Sequence, residues 1–359
     1  MSASNLSLIG KAGIGVAVAL LASSCGLFTK PVEKNDGRRL LKIEVPVGLP
    51  PIVNPPGSPP TEAAIELGRK LFYDKNLSLD GTVSCSSCHN PRYGYTDNNV
   101  VAIGLGGKKG PRNSPALFNV AYARILGWDG RAAGLEAHAA LPLLNPTEMG
   151  QTAAGLEQRL NDNSIYRTMF ERAFGPGPVT VAKITRALAI FERLILSGNS
   201  GFDKFLYLGN PKAISQAAKR GFALFEKRGN CVVCHQAGKE FSLFTDGQFH
   251  NLGVGVNAKG ELTDLGRYNV TKVEADKGAF KTPSLRNVTQ TRPYMHDGSL
   301  SSLAEVIEFY SEGGRPNRYQ SKLIRPLNLT ADEKLDLLAF LESLAGEPMP
   351  HIGPPEGEQ

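Results

Sequence analysis

The pattern Cys-x-x-Cys-His occurs twice in this chain and constrains its fold more than any other feature. The two copies are Cys85-Ser86-Ser87-Cys88-His89 and Cys231-Val232-Val233-Cys234-His235. Each places two thiols where they can add to the vinyl groups of a haem, next to a histidine that can bind the iron. A structural zinc site does not need a histidine directly after each thiol pair, and a thioredoxin-like dithiol lies in a βαβ context. The motifs therefore predict two covalently bound haems c.

The N-terminal residues predict export. Lys11 precedes an apolar run over residues 12–22, which is shorter than the ~20 residues of a membrane-spanning helix. We therefore expect residues 1–25 to be a signal peptide and the protein to be periplasmic. Cys25 is the one cysteine outside the haem motifs, and it ends a stretch that resembles a bacterial lipobox, although Ala22 stands where leucine is usual. Both a lipid anchor through Cys25 and simple cleavage nearby are compatible with this pattern.

A proline-rich stretch follows the predicted signal. Residues 26–60 contain seven prolines between positions 46 and 60, so they cannot form a helix or a central strand. We expect them to form an extended tether. Folded sequence is predicted to begin at Thr61, which can cap a helix with an apolar face.

The rest of the chain predicts a mainly α protein. Amphipathic helices containing residues 68–72 and 219–225 precede the two haem motifs, and a further helix is predicted over residues 179–196. Capping boxes at Ser302-x-x-Glu305 and Thr330-x-x-Glu333 begin two more. We expect two cytochrome c-like domains with the haems facing a shared interface. The predicted bounds are 61–210 and 211–348, followed by a tail over 349–359.

The net charge of +6 and the pI near 9.0 favour acidic partners. Lysine and arginine are spread along the chain without the basic block typical of nucleic-acid binding, so we expect no nucleic-acid partner. Four basic residues near the second haem motif could guide an acidic electron donor, or could belong to a solvated helix face. They are Lys219, Arg220, Lys227 and Arg228.

The second axial ligand of each iron decides function, because six-coordinate iron transfers electrons whereas an open position can bind peroxide. The remaining histidines are His138, His250, His296 and His351. Tyr310 is a further candidate, because it shares one helical face with three apolar residues that follow Ser302. These are Leu303, Val306 and Ile307. Tyr310 should point inward, either as a core tyrosine bonded to a carbonyl, which is the commoner case, or as a haem ligand.

Several other motifs occur in a fixed order along the chain. They are Gly68-Arg69-Lys70-Leu71-Phe72-Tyr73-Asp74, Gly110-Pro111-Arg112-Asn113-Ser114-Pro115, Trp128-Asp129-Gly130-Arg131-Ala132, Asn145-Pro146-Thr147-Glu148-Met149, Thr282-Pro283-Ser284-Leu285-Arg286-Asn287 and Pro293-Tyr294-Met295-His296-Asp297-Gly298. With these motifs, the chain resembles the bacterial di-haem cytochrome c peroxidase and MauG superfamily over nearly all of residues 61–348.

The resemblance implies that the two haems have different functions. The N-terminal haem is the peroxidatic site, and the C-terminal haem is the electron-transfer site. Trp128, the single tryptophan of the chain, matches an indole that carries electrons or holes between them. Glu148 matches a distal carboxylate that moves protons during O–O cleavage. Asn113, with the backbone carbonyls of Thr291 and Pro293, matches a calcium site between the haems, and such hard oxygen ligands suit that ion.

Three positions depart from the pattern of the peroxidases. Leu105 stands where they carry a histidine ligand of the resting peroxidatic haem, so we expect that haem to be open. Tyr310 stands where they supply a methionine, and MauG-like proteins use tyrosine there. The resemblance therefore favours ligation by Tyr310, which should stabilise ferric iron and lower its potential. His138 stands where relatives commonly have glutamine, and it could serve acid–base chemistry beside Glu148 or itself bind iron.

Together these features imply a peroxidase-type oxidoreductase of the MauG-like kind. It would react with hydrogen peroxide at the N-terminal haem, form a high-valent di-haem state, and oxidise an exported partner protein, with possible modification of that protein's residues. One alternative is a cytochrome c peroxidase that draws electrons from a small cytochrome or cupredoxin. A second, of another class, is a non-enzymatic electron carrier or redox sensor in which both haems are six-coordinate.

Overall fold

The computed structural model describes residues 28–35, 38–349 and 352–355. The predicted signal peptide, Cys25 and His351 lie outside these residues. No helix among the described residues is long and apolar enough to span a membrane.

Helices dominate the described part of the chain, and the strands are short. The helices are α1 (Glu62–Tyr73), α2 (Cys85–Cys88), α3 (Leu135–Leu144), α4 (Ala153–Asp162), α5 (Ser164–Phe174), α6 (Val181–Glu192), α7 (Gly201–Leu206), α8 (Gln216–Glu226), α9 (Tyr268–Thr271), α10 (Leu303–Glu312) and α11 (Ala331–Glu342). The strands are β1 (Phe28–Asn35), β2 (Arg38–Ile43), β3 (Ile125–Leu126), β4 (Ala132–Ala133), β5 (Ser197–Gly198), β6 (Phe249–His250), β7 (Phe280–Lys281) and β8 (Glu347–Pro348). They pair antiparallel as β1–β2, β3–β4, β5–β8 and β6–β7.

Both halves of the molecule contain the same helix crossing. In the N-terminal half α1 packs on α6, and in the C-terminal half α8 packs on α11. A glycine lies at each crossing, because a Cβ on Gly68 would collide with the Ala187 carbonyl and one on Gly221 with the Asp336 carbonyl. The two helices predicted before the haem motifs are thus confirmed, and each is held by the same close backbone contact.

A second repeat lies in the loops over residues 114–120 and 282–288. Asn119 and Asn287 adopt left-handed backbone conformations, with φ of 62° and 56°, and a 3-10 turn follows each. The side-chain oxygen of Asn119 accepts a hydrogen bond of 3.0 Å from the amide of Ser197. That of Asn287 accepts one of 2.6 Å from the amide of Gly346. The prediction of two cytochrome c-like domains is therefore confirmed by two sets of matching local structure.

The predicted helix starts are also found, with small differences. Thr330 caps α11 in a reciprocal capping box. The helix predicted over residues 179–196 is shorter than expected, because Thr180 caps it and it ends at Glu192. Ser302 caps α10, but the Glu305 carboxylate accepts from Ser301 rather than from Ser302.

The proline-rich segment differs from the predicted free tether over its described part, residues 28–35 and 38–60, which begins with the antiparallel pair β1–β2. It is extended, as its prolines require, yet it packs on both domains. The Tyr122 hydroxyl donates to Pro50 O at 2.7 Å, and the Arg286 guanidinium donates to Gly48 O, also at 2.7 Å. Leu41 and Leu49 are buried in the N-terminal core. The segment therefore belongs to the folded body, because its backbone carbonyls satisfy donors from both halves.

The C-terminal segment returns to the N-terminal domain. After β8 pairs with β5, Ile352 O accepts hydrogen bonds from the hydroxyls of Tyr73 and Tyr95 at 2.7 and 3.1 Å. Arg69 donates to Gly353 O at 2.7 Å. The described part of the predicted tail is thus tied to α1, which precedes the first haem motif.

Candidate functional site

The first haem motif forms a short helix and a histidine whose ring is already oriented. Cys85 and Cys88 begin and end α2, and neither takes part in a disulfide. His89 Nδ1 lies 3.1 Å from the backbone oxygen of Tyr95. Since a carbonyl can only accept, Nδ1 carries the proton and Nε2 keeps a lone pair that can bind iron. Burial lowers the pKa of His89, which favours this neutral form.

The second motif repeats this arrangement. Residues 231–233 form a 3-10 turn, and His235 Nδ1 lies 3.0 Å from the backbone oxygen of Phe244. Burial lowers the pKa of His235 as well. Two free thiols and a histidine with an available Nε2 are the donor set that a covalently attached haem requires.

A cavity of ≈ 210 Å³ adjoins the second motif, lined by both of its cysteines and by His235. The helical face predicted for α10 forms part of its wall. The residues of that face are Leu303, Val306, Ile307 and Tyr310. Tyr310 therefore points inward, as its spacing predicted. No hydrogen bond to its hydroxyl is found within the described chain, and burial raises the pKa of the phenol. The residues of this cavity fit a haem held by Cys231, Cys234 and His235.

Other possible ligands face the same cavity. His250 Nε2 lies 2.8 Å from Asp246 Oδ2, so this nitrogen already takes part in a hydrogen bond. The His296 ring stacks on Phe280, with ring centroids 3.5 Å apart. Met295 lines the cavity too, and its thioether sulfur is a further atom that could bind iron.

Glu148 lies beside the first motif in a hydrogen-bonded turn. Asn145 Nδ2 donates to its Oε1 at 2.7 Å. Burial raises the pKa of Glu148, although the bond from Asn145 and the charge of Arg131 act against this. The carboxylate is close enough to Cys88 to raise the pKa of that thiol, after burial and Asp97. Glu148 thus lies close to the first haem motif, and burial favours its protonated form.

The loop that carries Leu105 packs against this turn. The Leu105 amide donates to Glu148 O at 2.8 Å. A Cβ on Gly104 would collide with the backbone of Thr147 and Glu148, so this approach requires glycine. Leu105 therefore lies next to the carboxylate residue, and its side chain has no atom that can bind iron.

His138 projects from α3 into a larger cavity of ≈ 450 Å³ between the two domains. Burial, together with the nearby charges of His89, Arg131 and Lys281, lowers the pKa of His138 to about 4. The imidazole is therefore neutral at pH 7. Among the described residues that line this cavity, His138 is present but the first-motif residues and Glu148 are not. The link between His138 and the first site is therefore its electrostatic interaction with His89, not a shared cavity wall.

Trp128 lies in the walls of both cavities. Its indole N–H donates to the backbone oxygen of Asn113 at 2.8 Å. The edge of its ring faces His296, with centroids 6.5 Å apart. The residue that the sequence predicted as a bridge therefore contacts the space on either side of the domain boundary.

The three residues predicted to bind calcium line the larger cavity together. They are Asn113, Thr291 and Pro293. Asn113 Nδ2 donates to Asn99 O at 2.8 Å, whereas Oδ1 accepts no hydrogen bond from a described residue. A side-chain amide oxygen and two backbone carbonyls are oxygen donors of the kind that Ca²⁺ takes.

The comparisons with known proteins identify the family. A model described as di-haem cytochrome c peroxidase matches residues 62–211, and a cytochrome c model matches residues 218–345. Methylamine utilization protein MauG of Methylorubrum extorquens is 40% identical over 83% of this chain and 82% of its own. The chain belongs to the di-haem cytochrome c peroxidase and MauG family. Cytochrome c551 peroxidase of Nitrosomonas europaea is 36% identical over 79% of this chain and 80% of its own.

One solved structure of the family extends this likeness to the whole fold. A MauG-like protein described as associated with microbial copper homeostasis superposes with a TM-score of 0.77 and 36% identity, covering 85% of this chain and 95% of its own. As a member of the di-haem cytochrome c peroxidase and MauG family, the chain is a peroxidase-type oxidoreductase with two haems c.

Sequence reasoning gave no role to Arg112, although it lies in one of the family motifs. Its guanidinium bonds Asp264 through Nε and Nη2, at 2.7 and 3.0 Å, and Asp129 through Nη1 at 2.7 Å. It thereby ties the loop of Trp128 to the C-terminal domain. The motif predicts that Arg112 is important to the family, but not that its guanidinium binds the carboxylate of Asp264, which is distant in the sequence.

The basic residues near the second motif are only partly available for docking. Arg220 pairs with Asp336 at 2.6 Å, and Arg228 pairs with Glu333. The ammonium of Lys219 lies over the ring of Phe205 at 5.6 Å. An acidic partner of this family member would therefore meet a partly neutralised helix face.

Proposed function

We propose that this chain reacts with hydrogen peroxide at its first haem site and oxidises a partner protein, in the manner of MauG. The observation that carries the proposal is the phenol of Tyr310 in the wall of the second haem cavity, on the same cavity as His235. The family resemblance implies tyrosine at this position in MauG-like proteins and methionine in the peroxidases. An anionic oxygen ligand stabilises oxidised iron, so the second haem would be the site that retains an oxidising equivalent until the partner protein supplies an electron.

The bound haems supply the iron chemistry, in which peroxide is reduced and two oxidising equivalents are retained. The chain supplies the protons. Because Asn145 occupies Glu148 Oε1, a proton on Glu148 is carried by Oε2. Burial raises the pKa of Glu148, which favours the protonated form that can return a proton to a departing oxygen. His138 is neutral, interacts electrostatically with His89, and can accept a proton or a hydrogen bond on its side of the first site.

Leu105 supports an open first site. It lies beside Glu148 at the position where the peroxidases carry a histidine ligand, and its amide bond to Glu148 O fixes the loop. Direct ligation of the first iron by His138 is the competing arrangement. A His138→Gln variant separates the two roles, since it changes the spin state of the resting first haem only if His138 is a ligand.

Trp128 is proposed to carry oxidising equivalents between the two sites. Trp128 lines both cavities. Its N–H donates a hydrogen bond to a backbone carbonyl, which is too weak a base to remove the proton. The proposed calcium ion would bind Asn113 Oδ1 and the carbonyls of Thr291 and Pro293. Because Asn113 also accepts from Trp128, that ion would fix the position of the bridge.

Export to the periplasm and lipid attachment at Cys25 are proposed from residues 1–25. The mass of the mature N-terminal peptide tests both. A diacylated Cys25 supports the anchor, whereas an unmodified N-terminus nearby supports simple cleavage.

The partner is identified by peroxide-dependent mass changes in an extract of exported proteins incubated with the holoprotein. We expect one or a few proteins to be modified, and the modification to be absent with the Glu148→Gln variant. Stopped-flow turnover with a reduced small cytochrome c is measured in parallel. Rapid turnover of that cytochrome together with no modified protein would overturn the proposal in favour of a cytochrome c peroxidase.

A further inference from the structure

Lys281 is a cation that faces both cavities. It ends β7, and its amide donates to the backbone oxygen of Trp128 at 2.8 Å. Lys281 lines the larger cavity, as His138 does, and also the smaller cavity, as His235 does. No other lysine lines either cavity among the described residues.

The ammonium group of Lys281 has no ion-pair or hydrogen-bond partner among the described residues. The buried arginines of this region differ. Arg286 pairs with Asp203 at 2.8 Å, and Arg112 pairs with two aspartates. Burial lowers the pKa of Lys281, and the more distant Asp246 only partly opposes this. A cation removed from water is costly unless an anion or several acceptors replace the lost solvation.

A haem c attached through its vinyl groups keeps its two propionate side chains, which are carboxylates. The cavities that Lys281 lines are those that adjoin the second haem motif and the domain boundary. An ammonium and a carboxylate form a charge-assisted hydrogen bond, which is strong in a site of low dielectric. No described residue provides an anion for Lys281, whereas the propionate of a bound haem would provide one.

We propose that Lys281 binds a propionate of a bound haem and so acts as a cofactor-binding residue. The positive charge compensates the propionate and favours the reduced iron of that haem. The Lys281 amide also donates a hydrogen bond to the Trp128 carbonyl. One residue would therefore help to position both the haem propionate and the tryptophan proposed as the bridge. Both haems offer the same chemistry, and the experiment identifies which of them is bound.

The test compares Lys281→Met and Lys281→Arg in the holoprotein, with Lys259→Met as a matched control. Lys259 is exposed and lines neither cavity. The mass of the intact protein reports attachment of both haems, and a spectroelectrochemical titration gives the midpoint potential of each. Resonance Raman spectra report the propionate bending modes.

Lys281→Met is expected to lower the midpoint potential of one haem and to shift its propionate mode, while Lys281→Arg and Lys259→Met leave both near the wild-type values. The haem whose potential falls is the one that Lys281 binds, and a fall in both indicates a shared position. Unchanged potentials and Raman modes in Lys281→Met with both haems attached would overturn the proposal.

Two further results also decide the question. If Lys281→Met fails to attach haem, Lys281→Gln keeps a hydrogen-bond donor without the charge and should show a smaller shift in the same haem. An equal shift in Lys281→Arg and Lys281→Met would contradict a role for the charge. None of these measurements uses peroxide or a partner protein, so their outcome is independent of the proposed function.

Discussion

The indole N–H of Trp128 donates a hydrogen bond of 2.8 Å to the backbone oxygen of Asn113, whose side chain belongs to the candidate calcium site. The residue proposed to bridge the haems is thereby tied to the residue proposed to bind the ion. The amide of Lys281 donates to the Trp128 carbonyl from the other domain, also at 2.8 Å. The bridge is therefore held from both sides of the domain boundary.

Replacing Trp128 by phenylalanine should slow electron transfer between the haems, because the smaller phenyl ring is harder to oxidise than the indole and lacks its N–H. It should also cost about 1–3 kcal/mol of stability, since the Asn113 carbonyl loses its donor. Rapid mixing of peroxide with protein reduced at the second haem measures the transfer. Tyr122→Phe is the control, because it also removes a bond to a carbonyl but lines only the larger cavity. Wild-type transfer in Trp128→Phe would contradict the bridge.

Asn113→Leu should abolish calcium binding, because it removes the side-chain oxygen from the candidate site. Asn113→Asp keeps an oxygen and should retain the ion. Elemental analysis of the purified holoprotein before and after treatment with a chelator measures the calcium content. Equal calcium in the wild type and Asn113→Leu would exclude this site.

Tyr310→Phe should change the low-spin electron paramagnetic resonance signal of the second haem and raise its midpoint potential, because the variant removes an anionic oxygen ligand. Met295→Leu is the matched comparison, since Met295 faces the same cavity. We expect this second variant to leave the signal unchanged. The opposite pattern would assign the ligand to Met295.

Glu148→Gln should lower the rate of reaction with peroxide by about 10²–10⁴-fold, which is the usual contribution of a positioned acid–base group. Glutamine keeps the size of the side chain and the contact with Asn145, so both haems should remain attached. Glu226→Gln, on the exposed face of α8, is the control. A rate within twofold of the control in Glu148→Gln would exclude the proton-transfer role.

Glu192 provides a prediction on stability. The residue is 6% exposed, its Oε2 has no hydrogen-bond partner within the described structure, and burial raises its pKa from 4.5 to about 8. The folded state therefore holds this proton more tightly than the unfolded state. The stabilising effect is complete below pH 4.5 and is lost as pH rises from there to about 8.

Glu192→Gln cannot lose a proton and should flatten this pH dependence. At pH 8 the variant should be more stable than the wild type by about 4–5 kcal/mol, since the pKa rises from 4.5 to about 8 and each pKa unit corresponds to ~1.4 kcal/mol. Urea unfolding of the holoprotein at pH 5 and pH 8 measures the difference. Glu171→Gln, at an exposed position of α5, should follow the wild type. Parallel pH profiles for Glu192→Gln and the wild type would refute the raised pKa.

The local features of the fold could be predicted from the sequence. Thr330 caps α11 because the capping box is a short-range pattern, and Tyr310 faces the second cavity because the helical period fixes which residues share a face. The two haem motifs likewise predicted two free thiol pairs, each next to an available histidine. These features depend on residues within a few positions of one another.

The contacts between distant segments could not be predicted. Proline content predicted an extended stretch over residues 26–60, but not that Gly48 O would accept a hydrogen bond from Arg286. The motif of Trp128 did not reveal that Lys281 would hold its carbonyl or that Arg112 would reach Asp264. Such contacts depend on how the two domains pack.

The sequence by itself determined that this protein carries two covalent haems and a tyrosine on the inward face of a helix. Only the tertiary structure decided that Trp128 lines both cavities and that Lys281 faces them without an anionic partner among the described residues. Motif spacing fixes local geometry through the backbone, whereas a shared cavity exists only when two domains bury their surfaces against each other.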